Sequence, residues 1–182
     1  MKKLLNIYRK NNLPIVHVIR LYKEDGSNVD ICRREAIENG LRVATPNTYG
    51  AELVAEITPN DESKINSDLL FKGEFQHIGN NEWVMYKPRW GAFYNTKLEQ
   101  FLRDKSFDTI IFCGCNFPNC PRTSIYQASE RDFRIVMVED AMSQVYERGI
   151  EEMKNIGVNV LGTNEIKDIL KEQEKYYNSF LK

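Results

Sequence analysis

The stretch Asp108-Thr-Ile-Ile-Phe-Cys-Gly-Cys-Asn-Phe-Pro-Asn-Cys-Pro-Arg-Thr-Ser-Ile-Tyr-Gln-Ala-Ser-Glu130 decides the fold. Thr109 to Cys113 is a short apolar run of the kind a buried parallel strand shows, and Gly114 ends it. After a turn, Cys120 stands at a helix start as N-cap or first residue, with Pro121 at the first helical position and the helix continuing from Arg122 to Glu130. Unpaired backbone N–H groups at a helix start stabilise a thiolate, and the same groups can receive an oxyanion. Cysteines at 113, 115 and 120 are equally compatible with small buried hydrophobes around a tight turn. Of the three, Cys113 reads as core, Cys115 as turn, and Cys120 as the candidate nucleophile. The C-x-C-x4-C spacing has no fourth thiolate or histidine nearby, so no metal site is expected.

Working outward, Glu82-Trp-Val-Met-Tyr-Lys-Pro-Arg-Trp-Gly-Ala-Phe-Tyr-Asn-Thr-Lys-Leu98 places a strand at Trp83 to Tyr86 with Lys87 at its carboxyl end. Pro88 keeps the backbone extended there, and a helix through Leu98, Phe101 and Leu102 follows from Thr96. A lysine at a strand end is commonly a surface residue; its functional alternative is to hold the Cys120 thiolate by its charge. Trp90 and Phe93 supply aromatic surface, either to the core or to a pocket wall.

Toward the amino terminus, Met1 to Lys10 has a helical pattern and Ile15 to Leu21 reads as a strand. Tyr22 to Asn60 is a long irregular excursion with a helix near Arg33 to Glu38 and a short element at Ala51 to Ile57. An excursion of that length is uncommon unless it covers something or forms an interface. Leu69 to Phe75 is mildly β-like, and Gly79-Asn-Asn81 is a turn. Toward the carboxyl terminus, Arg134 to Glu139 is a strand and Asp140 caps a helix through Val145 and Tyr146. Gly149 breaks that helix, Ile150 to Asn155 is another, Gly157 to Leu161 is a strand, and Thr163 to Lys182 is a charged helix with Ile166, Ile169 and Leu170 on one face. The alternation predicts one α/β domain over residues 1–182, a three-layer α/β/α arrangement around a doubly wound, mostly parallel sheet. Ligands bind such sheets beyond the carboxyl ends of the strands, where Lys87 and Cys120 lie.

The 182 residues are 42% apolar with a formal net charge of −1, enough for a core but without a basic field for nucleic acid or a polybasic membrane patch. No apolar run is long enough to span a bilayer and no signal-peptide pattern is present. Four cysteines, three of them clustered, suit a cytoplasmic chain with free thiols. Apolar residues on the last helix and the long excursion predict at least a homodimer.

The segments Lys87 to Leu98, Gly114 to Cys120 with its helix, Val136-Met-Val-Glu-Asp-Ala141 and Leu13-Pro-Ile-Val-His-Val18 together resemble the isochorismatase-like cysteine hydrolases. The likeness covers nearly the whole chain. It implies an α/β/α domain that hydrolyses a C–N bond of a small amide or carbamoyl compound through a thioester, with Cys120 as nucleophile and Lys87 as catalytic lysine. It also places Asn116, preceded by a non-proline cis peptide in many members, with Phe117 beside an oxyanion hole of backbone N–H groups. Arg20, Tyr22, Trp90 and Phe93 are the pocket candidates.

Two features depart from the family's pattern. Pro121 follows the cysteine where Val is usual, and Phe117-Pro118 replaces a usual Thr. The family's aspartate lies at the end of a first strand before the first helix, and no residue from Met1 onward occupies that position; Asp25 and Asp30 are not expected to replace it. A sheet without that central strand is expected to be weakly stable or to borrow its pairing. The Asp and two His that hold a metal in the family's nicotinamidases have one counterpart at most, His77, so neither metal nor cofactor is expected, and nicotinamide is disfavoured as substrate. The alternative function is a non-catalytic domain of the same fold with a binding or oligomer-forming role.

Overall fold

The computed structural model describes residues 1–60 and 63–180, with the side chains described through Gln173. Leu181 and Lys182, the end of the helix expected at Thr163 to Lys182, lie outside the described residues. The chain runs α1 (Lys2–Lys10), β1 (Ile15–Ile19), α2 (Ile31–Glu38), α3 (Ser67–Phe71), β2 (Gln76–Gly79), β3 (Glu82–Tyr86), α4 (Leu98–Asp104), β4 (Thr109–Gly114), α5 (Cys120–Ser129), β5 (Arg134–Met142), α6 (Glu147–Asn155), β6 (Asn159–Leu161) and α7 (Thr163–Phe180). Strands alternate with helices as the sequence pattern requires, giving the mostly parallel α/β/α architecture. Among the described residues, no helix is long and apolar enough to cross a membrane.

The strands form two three-stranded sheets, ordered β1-β3-β2 and β4-β5-β6. Within the first, β1 and β3 are parallel, and β2 returns antiparallel through the Asn80-Asn81 turn, where Asn81 takes a positive φ. All pairings in the second are parallel. Among the described residues no strand pairing joins β1 to β4, yet Val16 and Val18 of β1 pack in one core with Ile110 and Phe112 of β4. Side chains rather than backbone hydrogen bonds therefore join the two halves. Met1 sits at the carboxyl end of β4, its sulfur near Gly114.

That shared core contains Met85, Phe93, Leu98, Leu102, Phe117, Ile125, Phe133, Met137 and Met153. On the other face of β4 and β5, Leu4 of α1 and Ile166 of α7 meet Val138 and Ala141, with Leu170 packed alongside. Of Ile166, Ile169 and Leu170, the apolar residues expected on one face of α7, Ile166 and Leu170 are thus taken up within the chain, while Ile169 stays 43% exposed. The surface argument for a dimer loses those two residues. The excursion has a small core of its own, Tyr22, Val29 and Ile37, and Asn28 ties it to the strand ends by donating to the Leu21 carbonyl and the Tyr86 hydroxyl.

Several local expectations are corrected. The β-like stretch at Leu69 to Phe75 contains the end of a short helix, because Asn66 accepts from the Leu69 N–H as a cap and Leu70 is fully buried. Residues 51–57 form turns after a single 3₁₀ turn at Tyr49–Ala51. Asp140 starts no helix. β5 continues through it to Met142, and its carboxylate accepts from the N–H and hydroxyl of Thr163 at the start of α7. Gly149 does not break α6 but lies inside it, since a Cβ there would stand 2.5 Å from the Phe117 ring.

One buried carboxylate locks the first half together. Glu82, 1% exposed on β3, accepts from Arg9 of α1 at 2.7 and 2.9 Å and from His17 of β1 at 2.6 Å. Burial opposes its ionisation, but the hydrogen bonds from Arg9 and His17 outweigh burial and hold its pKa at about 2. A carboxyl depressed on folding adds stability above its unfolded pKa, and that stability is lost as pH falls through the folded one. Acid should therefore weaken the fold between about pH 4.5 and about 2. Glu82→Ala, which leaves Arg9 and His17 facing an apolar gap, should cost about 3–5 kcal/mol in urea unfolding at neutral pH. A loss below about 1 kcal/mol would show that this carboxylate is not what joins α1 to the sheet.

Candidate active site

The parallel register of β1 and β3 pairs Val18 with Met85 and Ile19 with Tyr86, and Lys87 donates its backbone N–H to the Ile19 carbonyl. Arg20 and Lys87 are therefore neighbours at the carboxyl ends of the two strands. By the two-residue period they share the face of Val18 and Met85, the face covered by the main core. Lys87 is 3% exposed and its ammonium donates to the Trp90 carbonyl. Burial lowers the Lys87 pKa, and Cys120 opposes that shift by hydrogen bonding and by its charge when ionised.

Cys120 is the first residue of α5, with Asn119 as cap and Pro121 at the second helical position. Its thiol is half-buried. The preceding turn contains a cis peptide between Cys115 and Asn116, at the place the resemblance implies. Asn116 accepts from the Ser143 hydroxyl at 2.9 Å through its side chain and from the Asn119 N–H through its carbonyl. The Phe117 N–H is committed to the Ser143 carbonyl at 2.9 Å, and its ring is fully buried against Tyr146 and Gly149. The N–H groups of Asn116 and Cys120, by contrast, donate to no group among the described residues.

The excursion closes one side of the site. Asp30, 3% exposed, accepts from Arg20 and Tyr22 on one oxygen and from Arg33 at 2.8 Å and the Cys32 thiol on the other. Burial raises the Asp30 pKa, but the two arginines outweigh it and hold the group at about 2. Arg20 lies over the Tyr22 ring at 5.0 Å and Arg33 over the Trp90 ring at 4.4 Å. Arg89 donates to the carbonyls of Asn28 and Pro88. The structure thus places Arg20, Tyr22 and Trp90 at the same strand ends as Lys87. Phe93 belongs elsewhere: it is a core residue packed on Phe133 and under Arg131. Asp30 was not foreseen in this cluster; the signal available was an excursion too long to be a plain connection, whose Arg33 and Arg34 could already be read as meeting an anion.

The histidines stand apart from this cluster. The Nε2 of His17 is held by Glu82, and His77 lies on β2 against the Trp83 ring at 5.5 Å. Among the described residues, no three His, Cys, Asp or Glu side chains gather as metal ligands. The donor set does not fit the metal that the family's nicotinamidases hold. The surface cleft of about 880 Å³ between Lys23, Thr45 and Phe71 also contains none of Lys87, Cys120 or Arg20.

The mostly parallel strands with helices on both faces define an α/β/α domain, with a cysteine at a helix start and a buried lysine at a strand end. A family model described as an isochorismatase domain matches residues 1–165, and the chain belongs to the isochorismatase family. An isochorismatase family protein from Desulfovibrio vulgaris is 27% identical, with a TM-score of 0.76 over 93% of this chain and 82% of that one. A protein of Arabidopsis thaliana named a probable inactive nicotinamidase is 24% identical over 86% of this chain and 74% of its own. The ureidoacrylate amidohydrolase of Methylobacterium radiotolerans is 27% identical over 55% of this chain, a match spanning 41% of its own length. Hydrolase activity at the level of the family is what this membership supports.

The thiols should sort by environment. Burial pushes the Cys113 thiol up, whereas Cys120 stands beside an ammonium and a helix start. Iodoacetamide near neutral pH, followed by peptide mapping, should label Cys120 faster than Cys32, Cys113 or Cys115, and Lys87→Ala should slow Cys120 by about tenfold. Labelling of Cys120 no faster than Cys113 would count against the grouping of Cys120 with Lys87.

Proposed function

We propose that the chain is a cysteine-dependent hydrolase of a small amide or carbamoyl compound, acting on a C–N bond through a thioester on Cys120. The observation that carries this reading is the pairing of Cys120 with buried Lys87 beside two uncommitted backbone N–H groups. A C–N substrate is supported by family membership and by the name of the ureidoacrylate amidohydrolase relative.

In this mechanism the thiol proton of Cys120 is held on Lys87, so that the reactive pair is a Cys120 thiolate beside the Lys87 ammonium, whose hold on the proton is weakened by burial. The sulfur attacks the carbonyl carbon, and the N–H groups of Asn116 and Cys120 receive the oxyanion. The C–N bond breaks as Lys87 returns the proton to the leaving nitrogen, and water then hydrolyses the thioester. Asp30 takes no proton in this scheme, because a carboxylate held at about 2 by Arg20 and Arg33 is a poor base at neutral pH. Having given up its proton, the neutral Lys87 amine takes one from the water that attacks the thioester, which restores the ammonium and the Cys120 thiolate.

A second reading, a binding domain without turnover, is favoured by the commitment of Asp30 to its arginines. Mass spectrometry of the intact protein after mixing with a panel of primary amides and carbamoyl compounds separates the two. The hydrolase reading expects an acyl adduct on Cys120 with ammonia released at least once per chain, lost in Cys120→Ala and slowed about 100-fold or more in Lys87→Ala. Ligands that raise the melting temperature without any adduct or ammonia would establish the binding reading instead.

A further inference from the structure

The segment that holds Lys87 is fastened to the helix that begins with Cys120. From Pro88 to Phe93 the chain is in neither strand nor helix, and the Lys87 ammonium donates to the Trp90 carbonyl within it. The place of the charge therefore follows the place of this loop. Two side chains of α5 hold the loop. Ser124, 4% exposed, accepts from the Ala92 N–H at 3.0 Å and donates its hydroxyl proton to the Cys120 carbonyl at 2.7 Å. Gln127, three residues on along the same helix face, accepts from the Phe93 N–H at 3.0 Å through its Oε1. A Cβ at Gly91 would stand 2.1 Å from that same oxygen, so the loop lies against α5 at an approach that a glycine allows.

A serine bonded to the carbonyl four residues earlier is common in helices and by itself says nothing about function. Here the same hydroxyl also takes the Ala92 N–H, and the carbonyl four residues earlier is that of Cys120. Three hydrogen bonds thus run in series: the Lys87 ammonium to the Trp90 carbonyl, the Ala92 N–H to the Ser124 hydroxyl, and that hydroxyl to the Cys120 carbonyl. Resting on the hydrolase reading above, we infer that Ser124 and Gln127 are positioning residues, which seat the Lys87 loop on the nucleophile's helix and so set how closely the ammonium attends the Cys120 sulfur. Both side chains hold backbone groups, so their effect on the chemistry passes through Lys87. A charge stabilises a thiolate only from where it is held, and its influence falls with distance.

The pH profile of Cys120 labelling by iodoacetamide reads the seating of Lys87 without requiring a substrate. Rates at Cys120 are followed by peptide mapping from about pH 5 to about pH 10, and the midpoint of thiol ionisation is compared among variants. Ser124→Ala should move the midpoint up by about half a unit, which slows labelling near neutral pH about threefold, because an ammonium no longer held in place favours the thiolate less. Ser124→Thr keeps a hydroxyl able to bond the carbonyl four residues back and should restore the wild-type midpoint. In a Lys87→Ala background Ser124→Ala should add nothing, since a residue that acts through the lysine then has nothing left to place. Ile135→Val, a core change on β5 away from the loop, controls for lost stability and should leave the midpoint unmoved. A wild-type midpoint in Ser124→Ala, an equal shift in Ile135→Val, or shifts that simply add in the double variant overturns the positioning role. Should Ser124→Ala fail to fold, Gln127→Ala takes its place in each comparison, with the same expected direction. A midpoint unmoved by Lys87→Ala itself would sink the hydrolase reading, and the positioning role with it, by showing that the lysine does not act on the thiol.

Discussion

The Asp30 carboxylate is the constraint on which the candidate site depends. A carboxylate 3% exposed needs its charge matched, and here the match comes from two directions. Arg20 arrives from the end of β1 and Arg33 from α2, so a single buried charge pins the excursion to the sheet. The pairing also sets the arginines' stacking partners, Tyr22 and Trp90, and the Trp90 carbonyl in turn accepts from Lys87. Without Asp30, three cations would share the strand ends with nothing to hold them together.

The two halves of the sheet are organised by different means. Glu82 ties α1 and β1 to β3 through charge and hydrogen bonds, whereas β4, β5 and β6 are tied by parallel pairing and apolar faces on both sides. The halves meet through interdigitated side chains. Lys87 and Cys120 sit on opposite sides of this junction, one on each half. Their separation is thus governed by core packing of residues such as Phe117, whose ring fills the space that Gly149 leaves open. A close-packed interior resists small displacements, which makes the junction a rigid support for two groups that must meet.

The fold class and the helix start at Cys120 were legible in the sequence because both rest on short-range signals. A five-residue apolar run, a glycine stop and a proline at a helix start all act within a few residues of one another. The failures share the opposite property. Asp140 carries the composition of a helix cap, but the helix it caps begins at Thr163, on the far side of β6, and no local pattern announces that distance. Gly149 looks like a breaker until the Phe117 ring is in place. Leu69 to Phe75 has β-like composition, and burial of Leu70 together with the Asn66 cap overrides it. Asp30 was visible only as one acid among many in a loop, since its two arginines are brought to it by tertiary structure.

The contrast between Asp30 and a catalytic carboxylate is chemical rather than spatial. A general base must keep a lone pair free and a proton affinity near the working pH, and both are removed when two guanidinium groups occupy both oxygens. The two arginines that disqualify Asp30 as a base also fix its place at the strand ends. For Lys87 the balance is less one-sided: burial works against its charge, Cys120 and Asp30 work for it, and Arg20 works against it, so its protonation answers to the arrangement of its neighbours.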